Sequence, residues 1–179
     1  MNTTSVEPKG CDPSEAVWDR IWACRWELLN WARITYRYHR KRQKFFDMAD
    51  KLTQVAAVTG GVAVLGKTLG EYLPWIGGGI SLVGLFALVF GYSDKRQCHK
   101  EIAERANRLT GDICSLSINA LDEKQISVWE RVRAEIDLSE PPNLKTLVQK
   151  CEWEQAVADG HPNHTKEPRW WQQAHMHFF

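Results

Sequence analysis

Residues 72–93 read YLPWIGGGISLVGLFALVFGYS, 22 consecutive residues without a charge, and the fold turns on how they are read. A helix rises about 1.5 Å per residue, so a run of this length matches the roughly 30 Å hydrocarbon core of a bilayer. Tyr72, Trp75 and Tyr92 stand near its ends, where an interfacial aromatic belt would place them. The other reading is a buried hairpin helix. Just upstream, residues 52–66 (LTQVAAVTGGVAVLG) are free of charge for 15 positions. That is short for a span unless Lys51 and Lys67 snorkel outward; a re-entrant or interfacial segment is the alternative. Only a few residues around Lys67 and Glu71 separate the two stretches, which predicts a tight helical hairpin with Pro74 near the start of its second helix. The expectation is an all-α protein built on an integral membrane helical hairpin of two spans, with a cytoplasmic helical bundle.

Working outward, the averages conceal this pattern. The chain has 179 residues, 23 Lys+Arg against 22 Asp+Glu, and 44% apolar residues, with a mean hydropathy of -0.41. Such values exclude collagen-like, low-complexity and wholly disordered chains. A net charge of +1 argues against a protein that coats nucleic acid, so no direct nucleic-acid binding is expected. The charge is segregated, however: residues 52–93 hold only Lys67 and Glu71. Arg33, Arg37, Arg40, Lys41, Arg42, Lys44 and Lys51 precede the hairpin, and Lys95, Arg96, Lys100, Arg105 and Arg108 follow it. The positive-inside rule then puts both termini in the cytoplasm. About fifty residues precede the apolar stretch, unlike a signal peptide, and neither terminus carries a lipidation motif. The five cysteines are odd in number and form no C-x-x-C pair, so free thiols are expected.

The flanking segments read as helix. Residues 1–13 form a flexible start. Residues 14–51 form an amphipathic, basic helix with Ser14 as a plausible N-cap, running on into the first span. In it Trp18, Trp22 and Trp26 recur at i, i+4 and i+8, with Leu29 continuing the stripe. That stripe suits a packed helix interface or a lipid-contacting face. Residues 94–160 repeat the helical pattern. Ile102, Ala106, Leu109, Ile113, Leu116 and Ala120 mark one helix, interrupted weakly by Gly111. Asp122 caps a second, with Ile126, Trp129, Val132 and Ile136 on one face, and Pro141-Pro142 ends it. Asn143 caps a third, carrying Leu144, Leu147, Val148 and Cys151 and ending at Gly160. Residues 161–179 have no period and read as an irregular tail. No strand-like alternation occurs.

Chemistry-bearing residues are few. Gly77, Ser81, Gly84 and Gly91 share one face of the second apolar stretch, and Ala56/Gly60 and Ala57/Gly61 are small pairs in the first. Small residues let helix backbones approach closely. They serve either packing within one hairpin or packing of several subunits around a pore, with Thr59 and Ser81 among its few polar groups. No carboxylate or histidine lies in either stretch to relay protons. The run RYHRKRQK supplies Arg37, Arg40, Lys41, Arg42 and Lys44. It reads as the basic flank of a span, as a binder of anionic lipid headgroups, or as a site for a phosphate-bearing ligand. Tyr36, Tyr38, Phe45 and Phe46 would permit stacking with a base. His161, His164, His175 and His177 gather in the tail without the companions a metal site needs. No phosphate-binding loop and no nucleophile motif occurs. The chain therefore reads as non-enzymatic, with no cofactor.

The pattern resembles the SLATT family of bacterial two-span domains found beside nucleotide-generating or nucleotide-sensing components of conflict systems. YHRKRQKFFD (residues 38–47) leads directly into the first apolar stretch, as in that family. The close hairpin at 52–93 is followed by a long charged helix, and IDLSEPP (residues 136–142) by Cys151 and Glu154. The resemblance implies an oligomeric, pore-forming or membrane-disrupting effector in the bacterial inner membrane. It implies membrane lipid, further copies of the chain and a nucleotide-signalling or sensor component as partners. It also implies structural rather than catalytic roles for Glu140, Pro141 and Cys151. Two other classes stand beside it: a non-conducting scaffold that recruits a cytoplasmic partner, and a soluble helical assembly whose apolar hairpins pack together outside lipid.

Overall fold

The computed structural model describes residues 13–65 and 72–177. Among them the regular structure is entirely helical. Between Ser14 and Thr59 there is no proline or glycine, so nothing local interrupts the backbone hydrogen-bond ladder. One helix, α1 (Pro13–Leu65), accordingly runs for 53 residues. Of its buried side chains, Ile21, Leu28, Ala32, Thr35, His39 and Phe46 fall on the threes and fours of a heptad seam, and Tyr38 lies beside it. The helices α2 (Leu73–Phe90) and α3 (Tyr92–Ser115) follow. On α3 the buried His99, Ile102, Ala106, Leu109 and Ile113 repeat the same alternation.

The two seams meet antiparallel. Arg25 on α1 donates to the Ile113 carbonyl at 2.9 Å, His39 meets His99 at 2.7 Å, and Arg96 donates to Asp47 at 3.0 Å. α4 (Glu123–Ser139) closes the first core. Ile126 and Trp129 join Leu121, Ile21, Leu28, Ala32, Leu109 and Ile113 in one apolar cluster. Each fully buried leucine or isoleucine there contributes on the order of 1.5–3 kcal/mol. Asp122 caps α4 by accepting from the Gln125 backbone N–H at 2.7 Å. Glu140 precedes Pro141, which disfavours helical backbone, and it turns extended at the C-terminus of α4. α5 (Lys145–Ala158) then packs Leu147 and Cys151 against Tyr38 in a second cluster. A short helix, α6 (Trp170–His175), lies in the tail that had been expected to be irregular. Cys24, Cys98, Cys114 and Cys151 are free thiols; Cys11 lies outside the described residues.

The expected integral membrane hairpin is overturned. Among the described residues no helix is long and apolar enough to cross a membrane. The first stretch, residues 52–65, is the end of α1 and is about 21 Å long, well short of a roughly 30 Å core. The second does not form one 22-residue helix. α2 has 18 residues, about 27 Å, because Gly91 takes a left-handed conformation at φ 54° and the chain restarts as α3. With the spans goes the basis for placing the chain in the bacterial inner membrane with both termini cytoplasmic. Lys67 and Glu71, the expected loop charges, lie outside the described residues. Of the two readings of the tryptophan stripe, the packed interface is the one corrected. Trp18, Trp22 and Trp26 are exposed, because the seam follows Ile21, Leu28 and Ala32 on another face of the helix.

Candidate functional site

Two features concentrate chemistry: a polar node inside the α1–α3 seam, and an apolar arm that extends beyond it. The node sits where an apolar heptad would put leucine. His39 is fully buried and His99 nearly so. Their Nδ1 atoms lie 2.7 Å apart, and His39 Nε2 lies 2.9 Å from Glu140 Oε1. The Nδ1–Nδ1 contact needs one ring to donate and the other to accept, and His39 Nε2–H donates to the carboxylate. Phe46 stacks on His99 at 5.5 Å between ring centres, and Tyr38 stands edge-on to His39 at 5.0 Å. The Leu144 backbone N–H donates to the Tyr38 hydroxyl at 3.0 Å. Burial, reinforced by the nearby His39 and Arg42 charges, pushes the His99 pKa down to about 4. For Glu140 burial acts upward, but the hydrogen bond and charge of His39 prevail and hold the carboxyl below its usual value. A buried polar set with matched partners fixes register, since slipping the helices would leave each member without its partner.

The basic run divides between packing and solvent. Arg37 Nε donates to Gln155 at 2.9 Å and Lys41 pairs with Glu154 at 2.8 Å, so both tie α1 to α5. Arg42 lies over Phe46 at 4.6 Å and donates to the His177 carbonyl at 2.8 Å. His177 in turn stacks on Phe45 at 4.7 Å. Arg40 and Lys44 are exposed. The run therefore does not act as one ligand-binding unit. Cys151 is fully buried, and burial raises its thiol pKa to about 12, which leaves it unreactive as a nucleophile. Glu140 holds the node, Pro141 follows the end of α4, and Cys151 packs against Tyr38.

The arm comprises the last turns of α1 together with α2. Met48, Leu52, Val55 and Val58 on α1, and Trp75, Leu82 and Leu85 on α2, are all exposed, between 55% and 82%. Of the expected small-residue set, Ala56 and Gly77 are half-buried, while Ser81 and Gly84 face outward. A methyl group added at Gly77 or Gly84 would meet nothing within 4 Å among the described residues. Gly91 is the left-handed junction rather than a packing residue. The side chain of Thr59 and the surroundings of Gly60 lie outside what is described.

Sequence reasoning passed over the node. His39 lies inside the basic run and His99 beside Cys98, and neither stands out in the sequence. Their signal is the spacing: Ala32, Thr35, His39 and His99, Ile102, Ala106 are consecutive heptad positions. Among the described residues no group of three or more His, Cys, Asp or Glu is placed to hold a metal. Comparison with family models, curated proteins and solved structures finds no match to this chain.

Proposed function

We propose that this chain is a non-catalytic assembly module, in which a helical bundle with a fixed register presents an apolar arm to further copies of the same chain. One observation carries the reading: the two arm helices leave a row of large apolar side chains exposed on a segment almost free of charge. A contiguous apolar surface of this kind marks an interaction site, and its burial is favourable without directional chemistry. A second copy is the partner of matching character. Its arm has the same composition, and among the described residues nothing lies within 4 Å of where a methyl at Gly77 or Gly84 would stand, which lets another helix come close. Oligomerisation is also what the SLATT resemblance implies. The polar node supports the bundle, holding α1 and α3 in one register so that the arm emerges in a fixed direction.

Sedimentation of the purified full chain tests the proposal. Wild-type protein is expected at a multiple of its 20.6 kDa mass. The double variant Leu82→Glu/Leu85→Glu is expected to sediment as a monomer with unchanged helical content. A wild-type monomer at every concentration sinks the proposal, as does a variant of unchanged oligomeric mass.

A further inference from the structure

Where the arm leaves the bundle, four basic side chains line a single crevice of about 400 Å³: Arg40 and Lys44 from α1, Arg96 and Lys100 from α3. Each pair stands at i and i+4 on its own helix, where like charges repel. The antiparallel register then brings the pairs level with one another across the seam. Asp47 is the carboxylate in the lining, and both its oxygens are engaged, Oδ2 with Lys51 at 2.7 Å and Oδ1 with Arg96 at 3.0 Å. Those partners hold the Asp47 carboxyl below its usual pKa, so it stays ionised and leaves a surplus of positive charge. Arg40 donates to the Gln43 amide oxygen at 2.8 Å, a neutral acceptor that leaves its charge in place. Lys100 stands 3.9 Å from Glu104. Repulsion within each helix and between the two is relieved by an anion that spans all four cations.

We infer that this crevice binds a polyvalent phosphate, with Arg40 and Lys44 on one side and Arg96 and Lys100 on the other. A chain of linked phosphates fits better than a single one because it reaches both helices at once. Guanidinium groups supply paired donors to phosphate oxygens, and the lysines supply point charges. Bound there, the anion clamps α1 to α3 at the base of the arm. The same chemistry is offered by a free polyphosphate and by the headgroups of an anionic lipid surface. The inference does not depend on self-association of the arm, since the crevice is complete within one chain.

Calorimetric titration of the full chain with inorganic triphosphate tests it, with orthophosphate in parallel and ionic strength held constant. Triphosphate is expected to bind saturably, more tightly than orthophosphate, and to raise the unfolding temperature. Lys44→Gln/Lys100→Gln removes two exposed charges with no buried contact to lose, and is expected to weaken binding about tenfold or more. Lys124→Glu, an exposed lysine on α4, is expected to leave it unchanged. Flotation with phosphatidylcholine vesicles, with and without phosphatidylglycerol, separates the sources. Phosphatidylglycerol-dependent flotation that the double variant loses assigns the headgroup, and triphosphate binding without it assigns a free anion. Absence of both overturns the inference, as does equal binding by the wild type and the double variant.

Discussion

Up to Phe46, α1 gives its apolar face to α3, α4 and α5; beyond Phe46 the same helix carries Met48, Leu52, Val55 and Val58 into the open. The two regions invert the usual association of apolarity with burial. The heavily charged parts of the chain contain the core, because their sparse apolar residues keep a strict seam spacing. In the charge-poor part the described large apolar side chains Leu52, Val55, Val58, Trp75, Leu82 and Leu85 stand exposed. Burial here follows period more than composition.

The largest expected effect sets like substitutions in the two regions against each other. Leu109→Ala, in the core of α1, α3 and α4, is expected to cost about 2–5 kcal/mol in chemical denaturation. Leu85→Ala on the arm removes the same atoms from a side chain 58% exposed. It is expected to change the stability of the unassociated chain by less than about 0.5 kcal/mol, while lowering the oligomeric mass at a given concentration. Comparable losses at both sites would show that the arm is part of the folding core, and would erase the distinction.

Acid is expected to act on the bundle and spare the arm. His99 is neutral in the fold, with a pKa near 4, whereas in the unfolded chain it takes up a proton near pH 6.5. The unfolded state thus binds more protons between those limits. The stabilisation is complete above about pH 6.5 and is lost as pH falls toward about 4, for a total of about 3 kcal/mol. The groups facing His99 are His39, Glu140, Arg42, Lys95 and Phe46. Glu140, also held low, adds loss in the same direction at still lower pH. Within the arm, the described residues from Leu52 to Phe90 offer only Tyr72 to titrate. Denaturation curves at a series of pH values check this. A His99→Gln chain should lose most of the dependence between pH 6.5 and 4, and an unaltered slope would mean that His99 does not carry it.

Much of the bundle was legible. The stripe Ile102, Ala106, Leu109, Ile113 and the Asp122 cap are where periodicity and capping rules place them, since both depend only on neighbours in sequence. The role of the tryptophans was not legible. Trp18, Trp22 and Trp26 form a cleaner i, i+4 row than Ile21, Leu28 and Ala32, and only the partner surface on α3 decides which row is buried. The arm was misread for a related reason. An uncharged run of 22 residues looks like one rod, yet glycine can leave the helical region at no steric cost, and Gly91 ends α2. The crevice at Arg40, Lys44, Arg96 and Lys100 was half legible. One pair belongs to the conspicuous basic run, but its register against the other, more than fifty residues away, is a tertiary fact.

The smallest effects come from two glycines seven residues apart, one in the arm and one at its junction with the bundle. Gly84 lies within α2, and a methyl there meets nothing within 4 Å among the described residues. Gly84→Ala should stabilise the unassociated chain by about 0.5–1 kcal/mol, through the helix preference of alanine. If copies meet closely at this face, the same methyl should reduce the oligomeric mass. Gly91 sits at φ 54° and ψ 48°, where the methyl of alanine crowds the following carbonyl. Its nearest new neighbour, Asp94 Oδ2 at 3.8 Å, is an ordinary contact, so the penalty comes from the backbone alone. Gly91→Ala should therefore destabilise by about 1 kcal/mol. Opposite signs at the two positions would confirm that the arm is an open helix joined to the bundle by a left-handed residue. A neutral Gly91→Ala would mean that the junction relaxes without cost, and that nothing at Gly91 fixes the direction in which the arm leaves the bundle.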